Sequence, residues 1–329
     1  MLRALVLGCG SIGERHLRCL TKIGGVELTA CDPRPERQEA MRELYGVAHT
    51  LGSYDEADLA QQDAVLVCTP TDQHLPQAMR AAEAGCHLFV EKPISTVPDG
   101  VDELIDLCRS KSRVLQVGYV LRHHPNLHEV KALLDTGAIG TVRLAAIKCG
   151  SFIGKYRPEY AQLYWAHAAT GGGVLYNATH ELDYIQWLLG PALQVQAQTG
   201  HYALAVDEDV EDAAMLLLRF GDGVMATAHL NDFQLNYKRG LELVGDKGTI
   251  EWSYEDNEVR LYTEHDRSWR SHRCEFERDD FYLLQMRNFL AAIAGDQAPA
   301  VTGEDGKRAL LLALAAKKAA DTGTLVSLG

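Results

Sequence analysis

The stretch RALVLGCGSIGERHLRCL, residues 3–20, limits the fold more than any other. An apolar run, three glycines spaced G-x-G-x-x-G, and then Ile12, Leu17, Leu20 and Ile23 at roughly helical spacing predict a strand, a tight turn and an amphipathic helix. Gly8 permits the turn, Gly10 lets a pyrophosphate approach the backbone, and Gly13 lets the helix pack closely on the strand. Ser11 and Ile12 open the helix, where unbonded N–H groups and the positive end of the dipole face an anion. A second strand, VELTACD, ends in Asp32, nineteen residues beyond Gly13, where a carboxylate accepts hydrogen bonds from ribose hydroxyls. Asp32 repels a 2′-phosphate and so favours NAD, while Arg34 keeps NADP open.

The alternation continues through strand DAVLVCTP, helix DQHLPQAMRAAEAG, strand HLFVEKP, helix TVPDGVDELIDLCRS and strand RVLQVGY. Nearly continuous apolar strands separated by helices predict a doubly wound parallel sheet covered on both faces. Ligands of such sheets bind beyond the carboxyl ends of the strands, so Thr69, Pro70, Glu91, Lys92 and Tyr119 should rim one crevice. After about residue 120 the pattern changes to short, often alternating segments, AAMLLLRF, GVMATAHL, GLELVG, GTIEWSY and EVRLYT, separated by Gly-Asp, Asp-Lys-Gly and Asp-Asn turns. The expected division is a dinucleotide-binding Rossmann domain over 1–120 and an α/β domain over 121–329. The helix DGKRALLLALAAKKAADTG closes the chain, with glycine just past its end.

Composition excludes several classes of function. The net charge of −13 is spread without a basic stripe, which argues against nucleic acid and anionic membranes as partners. Eight cysteines, none in a CxxC pair and most inside apolar runs, read as buried reduced thiols. With no apolar run of membrane-spanning length and no signal-peptide core, a cytoplasmic protein is expected. No metal is expected either: His123, His124 and His128 lack a nearby cysteine or acidic ligand set, and HELD is not HExxH. No tyrosine is followed four residues later by lysine, which removes the short-chain dehydrogenase dyad.

Six segments in order, VLGCGSIGERH, VLVCTPTDQH, VEKPIS, VGYVLRHHP, GGGVLYNATHELD and LELVGDKGTIEW, resemble the Gfo/Idh/MocA family of oxidoreductases. EKP combined with GGG...HELD is the specific part. The resemblance implies a Rossmann domain followed by an α/β domain with a large open, mostly antiparallel sheet, through which a homodimer or homotetramer forms. It implies hydride transfer between NAD(P) and a secondary hydroxyl of a sugar or sugar derivative, and adds His74 to the cofactor contacts. Lys92 and His180 become the catalytic pair. His180, whose ordinary pKa is about 6.5, can take the alcohol proton, and a desolvated Lys92 can also shuttle it. The sequence leaves the acceptor open between them.

The family's common form has an aspartate four residues before the histidine; anchored on the glycines, Asn177, three before His180, takes its place with one residue deleted, and anchored on HELD, Tyr176 takes it. Asparagine is no carboxylate base, but it can hydrogen-bond a substrate hydroxyl or cap the following helix. Tyr119, Arg122, His124, Lys155, Arg157, Tyr160 and Tyr164 fall in segments that, by the resemblance, line the substrate cleft. Pro93 is where the family often carries a cis peptide bond. Two other readings stay open: an NAD-dependent glycosidase acting by transient C3 oxidation and elimination, and a catalytically silent dinucleotide-binding regulator.

Overall fold

The computed structural model describes residues 1–328, in two compact units, 1–123 with 277–307 and 124–276 with 308 onward. A single cut at 120 assigns everything after it to one domain; the structure instead returns 277–307 to the first unit.

Six parallel strands form the first unit's sheet, in the order β3-β2-β1-β4-β5-β6. They are β1 (Leu2–Leu7), β2 (Val26–Cys31), β3 (His49–Leu51), β4 (Ala64–Val67), β5 (His87–Val90) and β6 (Leu115–Val117). Between them run α1 (Ser11–Ile23), α2 (Pro35–Tyr45), α3 (His74–Glu83) and α4 (Val101–Ser110). The order reverses at β1/β4, the switch point of a doubly wound sheet. Leu5, Val6, Val65 and Leu66 in the two central strands are wholly buried, each stabilising the fold by about 1.5–3 kcal/mol relative to exposure.

The second unit begins with α5 (Pro125–Asp135) and is built on nine strands in the order β14-β13-β12-β11-β7-β10-β9-β8-β15. These are β7 (Val142–Phe152), β8 (Gln194–Gly200), β9 (Ala213–Arg219), β10 (Met225–Asn231), β11 (Phe233–Gly245), β12 (Gly248–Ser253), β13 (Glu258–Thr263), β14 (Trp269–Arg273) and β15 (Val326–Ser327). Among the described strands of this sheet only β7 and β10 pair in parallel. Two helices, α6 (Val174–Asn177) and α7 (Thr179–Leu189), lie in sequence between β7 and β8. The chain finishes with α8 (Arg278–Ala294), α9 (Gly303–Thr322) and β15, so the long helix is followed by one more short strand. Gly323, with φ +64°, ends α9 as expected. Among the described residues no helix is long and apolar enough to cross a membrane.

His124 shows how the second unit starts. Its ring is fully buried among Trp252, Tyr254 and Phe276, with centroids 5.4, 5.3 and 4.6 Å away. Nδ1 accepts from the Asn126 N–H at 3.2 Å and so caps α5. That is a structural role, where a place in a substrate cleft was expected. Burial, aided by the Arg239 charge, pushes its pKa down to about 3. The neutral ring therefore contributes stability that is full above the unfolded value of about 6.5 and is lost as pH falls toward 3. Compared with wild type, His124→Asn, which keeps a capping side chain, should flatten the pH dependence of unfolding free energy by about 1.4 kcal/mol per pH unit below pH 6. Chemical denaturation at pH 7, 6 and 5 measures this; parallel slopes for the two proteins would refute it.

Candidate active site

The first unit holds a cradle for a dinucleotide. Gly8 has φ +84°, and a Cβ there would lie 2.8 Å from the Cys68 carbonyl oxygen. A Cβ on Gly13 would lie 1.8 Å from the Gly8 oxygen, so the helix sits on the turn as closely as backbone allows. Gly10, the N-cap of α1, faces open space, with nothing within 4 Å of the point where a Cβ would stand. Ser11 and Ile12 form the first turn behind it. The residues thus fit a dinucleotide: two glycines are required by protein neighbours, and the one expected to meet the pyrophosphate is bordered by none.

Asp32, just past β2, is buried and accepts from the Cys9 N–H at 2.8 Å and from Arg34 Nε and Nη2 at 2.8 and 2.9 Å. Burial opposes its charge, yet these donors outweigh burial and hold the carboxyl below its ordinary range. Arg34 itself is half exposed and N-terminal to α2, so Asp32 and Arg34 form one unit at the expected ribose position.

Glu91 and Lys92 follow β5 in a closely braced loop. The Glu91 carboxylate is buried, 2.7 Å from His16 Nε2, and accepts the Lys92 N–H at 3.1 Å. Gly118 is tied to this arrangement, because a Cβ there would lie 2.8 Å from the same carboxylate. On the other side of the loop His74 is buried, with Nδ1 2.7 Å from the Pro93 oxygen and Nε2 2.8 Å from the Thr69 oxygen. Burial lowers its pKa, against the pull of the two carbonyls. Thr69 Oγ1 donates to Gln77 at 2.7 Å, and Pro70 caps the short turn 71–73 that leads into α3. The Lys92–Pro93 peptide is cis. Lys92 is partly exposed, whereas Glu91 and His74 are buried and hydrogen-bonded, Glu91 to His16 of α1 and His74 to the carbonyls of Thr69 and Pro93.

Of the expected substrate residues in this unit, Tyr119 is fully buried, and Arg122, also buried, lies 3.4 Å from the Asp305 carboxylate. The sequence reading missed His16, whose ring sits edge-on to Phe89 at 4.9 Å and to Tyr282 of α8 at 6.2 Å. Its only signal was a histidine in GERH, one helical turn beyond the glycines.

The second unit holds the histidine segment. A Cβ on Gly172 would meet the Trp165 oxygen at 2.5 Å, and one on Gly173 (φ +113°) would meet the Glu211 carboxylate at 2.4 Å. Glu211 accepts from the Leu175 N–H at 3.2 Å and faces Lys317 at 3.3 Å; burial raises its pKa while Lys317 opposes the rise. His180, partly exposed, is the second residue of α7. The next residue, Glu181, is wholly buried and paired with Arg239 of β11 at 2.8 Å, which fixes the rotation of α7 on the sheet.

Asn177 neither caps α7 nor stands alone. Its Nδ2 donates to both oxygens of buried Asp232, at 2.9 and 3.0 Å, while the N-cap, Ala178, offers no side-chain bond. A carboxylate is thus present behind Asn177, supplied from the β10–β11 junction. Tyr160 stacks on Trp165 at 5.6 Å and accepts the Ala205 N–H at 3.1 Å; Tyr164 and Lys155 are exposed and Arg157 partly so.

Residues 2–119 match the model of the oxidoreductase family, NAD-binding Rossmann fold, and 131–328 that of the oxidoreductase family, C-terminal alpha/beta domain. The chain belongs to the Gfo/Idh/MocA oxidoreductase family. It is 30% identical to a myo-inositol 2-dehydrogenase of Thermotoga maritima over 96% of each chain. Among solved structures it is similar to the WlbA dehydrogenase from Bordetella pertussis in complex with NADH and UDP-GlcNAcA, at 26% identity, 100% and 99% coverage and TM-score 0.85. The fold is shared with a levoglucosan dehydrogenase bound to NADH and levoglucosan, at 20% identity, 99% coverage of each chain and TM-score 0.90. The protein is an NAD-dependent oxidoreductase, and the glycine turn with Asp32 belongs to its NAD-binding domain.

The Asn177–Asp232 contact requires an amide at 177: a carboxylate there would face Asp232 across about a hydrogen-bond length. Asn177→Asp should destabilise by about 1–3 kcal/mol at pH 8, and by less at pH 5, where the carboxyl pair retains a proton. Unfolding curves at the two pH values test this, and an equal loss at both would contradict it.

Proposed function

We propose that this enzyme oxidises a secondary hydroxyl of a polyol or sugar derivative, with His180 taking the hydroxyl proton and Lys92 donating to the reacting oxygen. Bound NAD supplies the nicotinamide that accepts the hydride. The observation that carries the reading is a lysine and a histidine, each on a braced segment, in a chain 30% identical over nearly its whole length to a polyol dehydrogenase. Imidazole suits proton removal near neutrality, and an ammonium stabilises the alkoxide as it develops. Asn177 orients rather than titrates, its amide held by Asp232. Asp32 receives the adenosine ribose hydroxyls, for which Arg34 must give way.

A cytoplasmic location and a homo-oligomer belong to the same reading. Seven of the eight free thiols are buried. One face of the large sheet exposes Leu144 (47%), Met215 (54%), Leu217 (48%) and Met225 (45%). Met225 is in register with Leu144, and Leu217 and Met215 continue diagonally from it beside Arg219, Thr227 and His229, a strip suited to a second copy.

Incubation with NAD and a panel of inositols, sugars, sugar acids and glycosides, following NADH and product together, tests the activity. His180→Ala should lower kcat about a hundred- to ten-thousand-fold on the active substrate while leaving NADH affinity unchanged. Full turnover by that variant, or no NAD binding by the wild type, would refute the reading; aglycone release without NADH would favour transient oxidation and elimination. For the assembly, Leu217→Lys should shift the mass measured by light scattering toward the monomer, and an unchanged mass would exclude this face.

A further inference from the structure

Of the eight cysteines only Cys274 is not buried, and it does not stand alone. His272 and Cys274 occupy alternate positions of the extended segment formed by β14 and its continuation, which sends both side chains to one side. Glu129 of α5 meets them there. Its Oε2 bonds His272 Nδ1, and the Cys274 sulfur is 3.8 Å from the same nitrogen. One ligand atom from each of the three residues lies within 4.8 Å of the other two. Tetrahedral bonds of 2.0–2.3 Å set ligand atoms about 3.3–3.8 Å apart, so a small inward movement closes a site around one ion.

The supporting bonds align the same three groups. Asn257, in the β12–β13 turn, donates through Nδ2 to the Cys274 carbonyl and accepts through Oδ1 from Asn126 Nδ2 at 3.2 Å. Asn126 and Glu129 are three apart on α5 and share a face. The backbone that carries the thiol is therefore held against the helix face that carries the carboxylate.

We propose that Glu129, His272 and Cys274 bind a zinc ion. A thiolate, an imidazole and a carboxylate are zinc's donor types, while the sulfur disfavours magnesium and calcium. Water completes the fourth position, and the ion fastens the exposed edge strand β14 to α5. The three histidines weighed as zinc ligands from the sequence take no part.

The test uses the full chain, stripped with chelator and titrated with zinc chloride against a chromophoric competitor, and in parallel with cobalt(II). Wild type should take up one equivalent of zinc and, with cobalt, develop a near-ultraviolet thiolate-to-metal charge-transfer band. Cys274→Ser should lose the band, His272→Ala and Glu129→Gln should weaken zinc binding at least about tenfold, and Asn257→Ala should weaken it about 10–100-fold as an outer support. NADH affinity, unchanged in all four variants, verifies folding. If Cys274→Ser does not fold, the wild-type cobalt band and Glu129→Gln decide the matter. Sub-stoichiometric zinc, a cobalt spectrum without the thiolate band, or unchanged zinc affinity in the ligand variants would overturn the site.

Discussion

A carboxylate removed from water needs donors on every side, and Glu91 obtains them from distant parts of its unit. His16 approaches it from α1, the Lys92 N–H from its own loop, and Gly118 makes room by lacking a side chain. His16 is wholly buried with Phe89 and Tyr282 against its ring, and α8 is fixed in turn by Asp279 on Arg18 at 2.7 and 3.0 Å and by Arg15 over the Tyr282 ring at 4.7 Å. The lysine that follows this carboxylate thereby sits on a rigid support, as the role proposed for it at the reacting oxygen would require.

The second unit solves a similar problem with buried ion pairs. Glu181–Arg239 joins α7 to β11, and Glu211–Lys317 supports the glycine segment from α9. Such pairs contribute little net stability against well-packed apolar substitutes, but breaking one leaves an uncompensated charge, so they select one orientation of the elements they join. Asn177–Asp232 does the same without a second charge: both oxygens of the buried carboxyl accept from one amide beside the histidine segment.

What the sequence made legible was local. The glycine turn, the apolar parallel strands, the hairpins after residue 120 and the family segments each announce themselves within about twenty residues, because turn chemistry and hydrophobic period are short-range properties. What it hid was long-range. His16 meets Glu91 across 75 residues, Asn177 meets Asp232 across 55, and Arg18 meets Asp279 across 261. No period or spacing in one chain marks such partners, and so the bonds that hold His74, Glu91 and Arg122 within their unit could not be read beside the ligand contacts expected of them. The cysteine rule erred at one position for the same reason: Cys274 lies in an unremarkable polar run whose surroundings arrive from α5.

The return of 277–307 to the first unit governs the order in which the molecule can mature on the ribosome. All six strands of the parallel sheet are available once residue 117 has emerged, but Phe289, which packs on Phe89 at 5.6 Å, and Tyr282 are not. At roughly 5–20 residues per second, translation of the intervening segment keeps that side of the nascent sheet uncovered for many seconds, an interval in which chaperones have a natural substrate. The unit made first is therefore among the last to be finished.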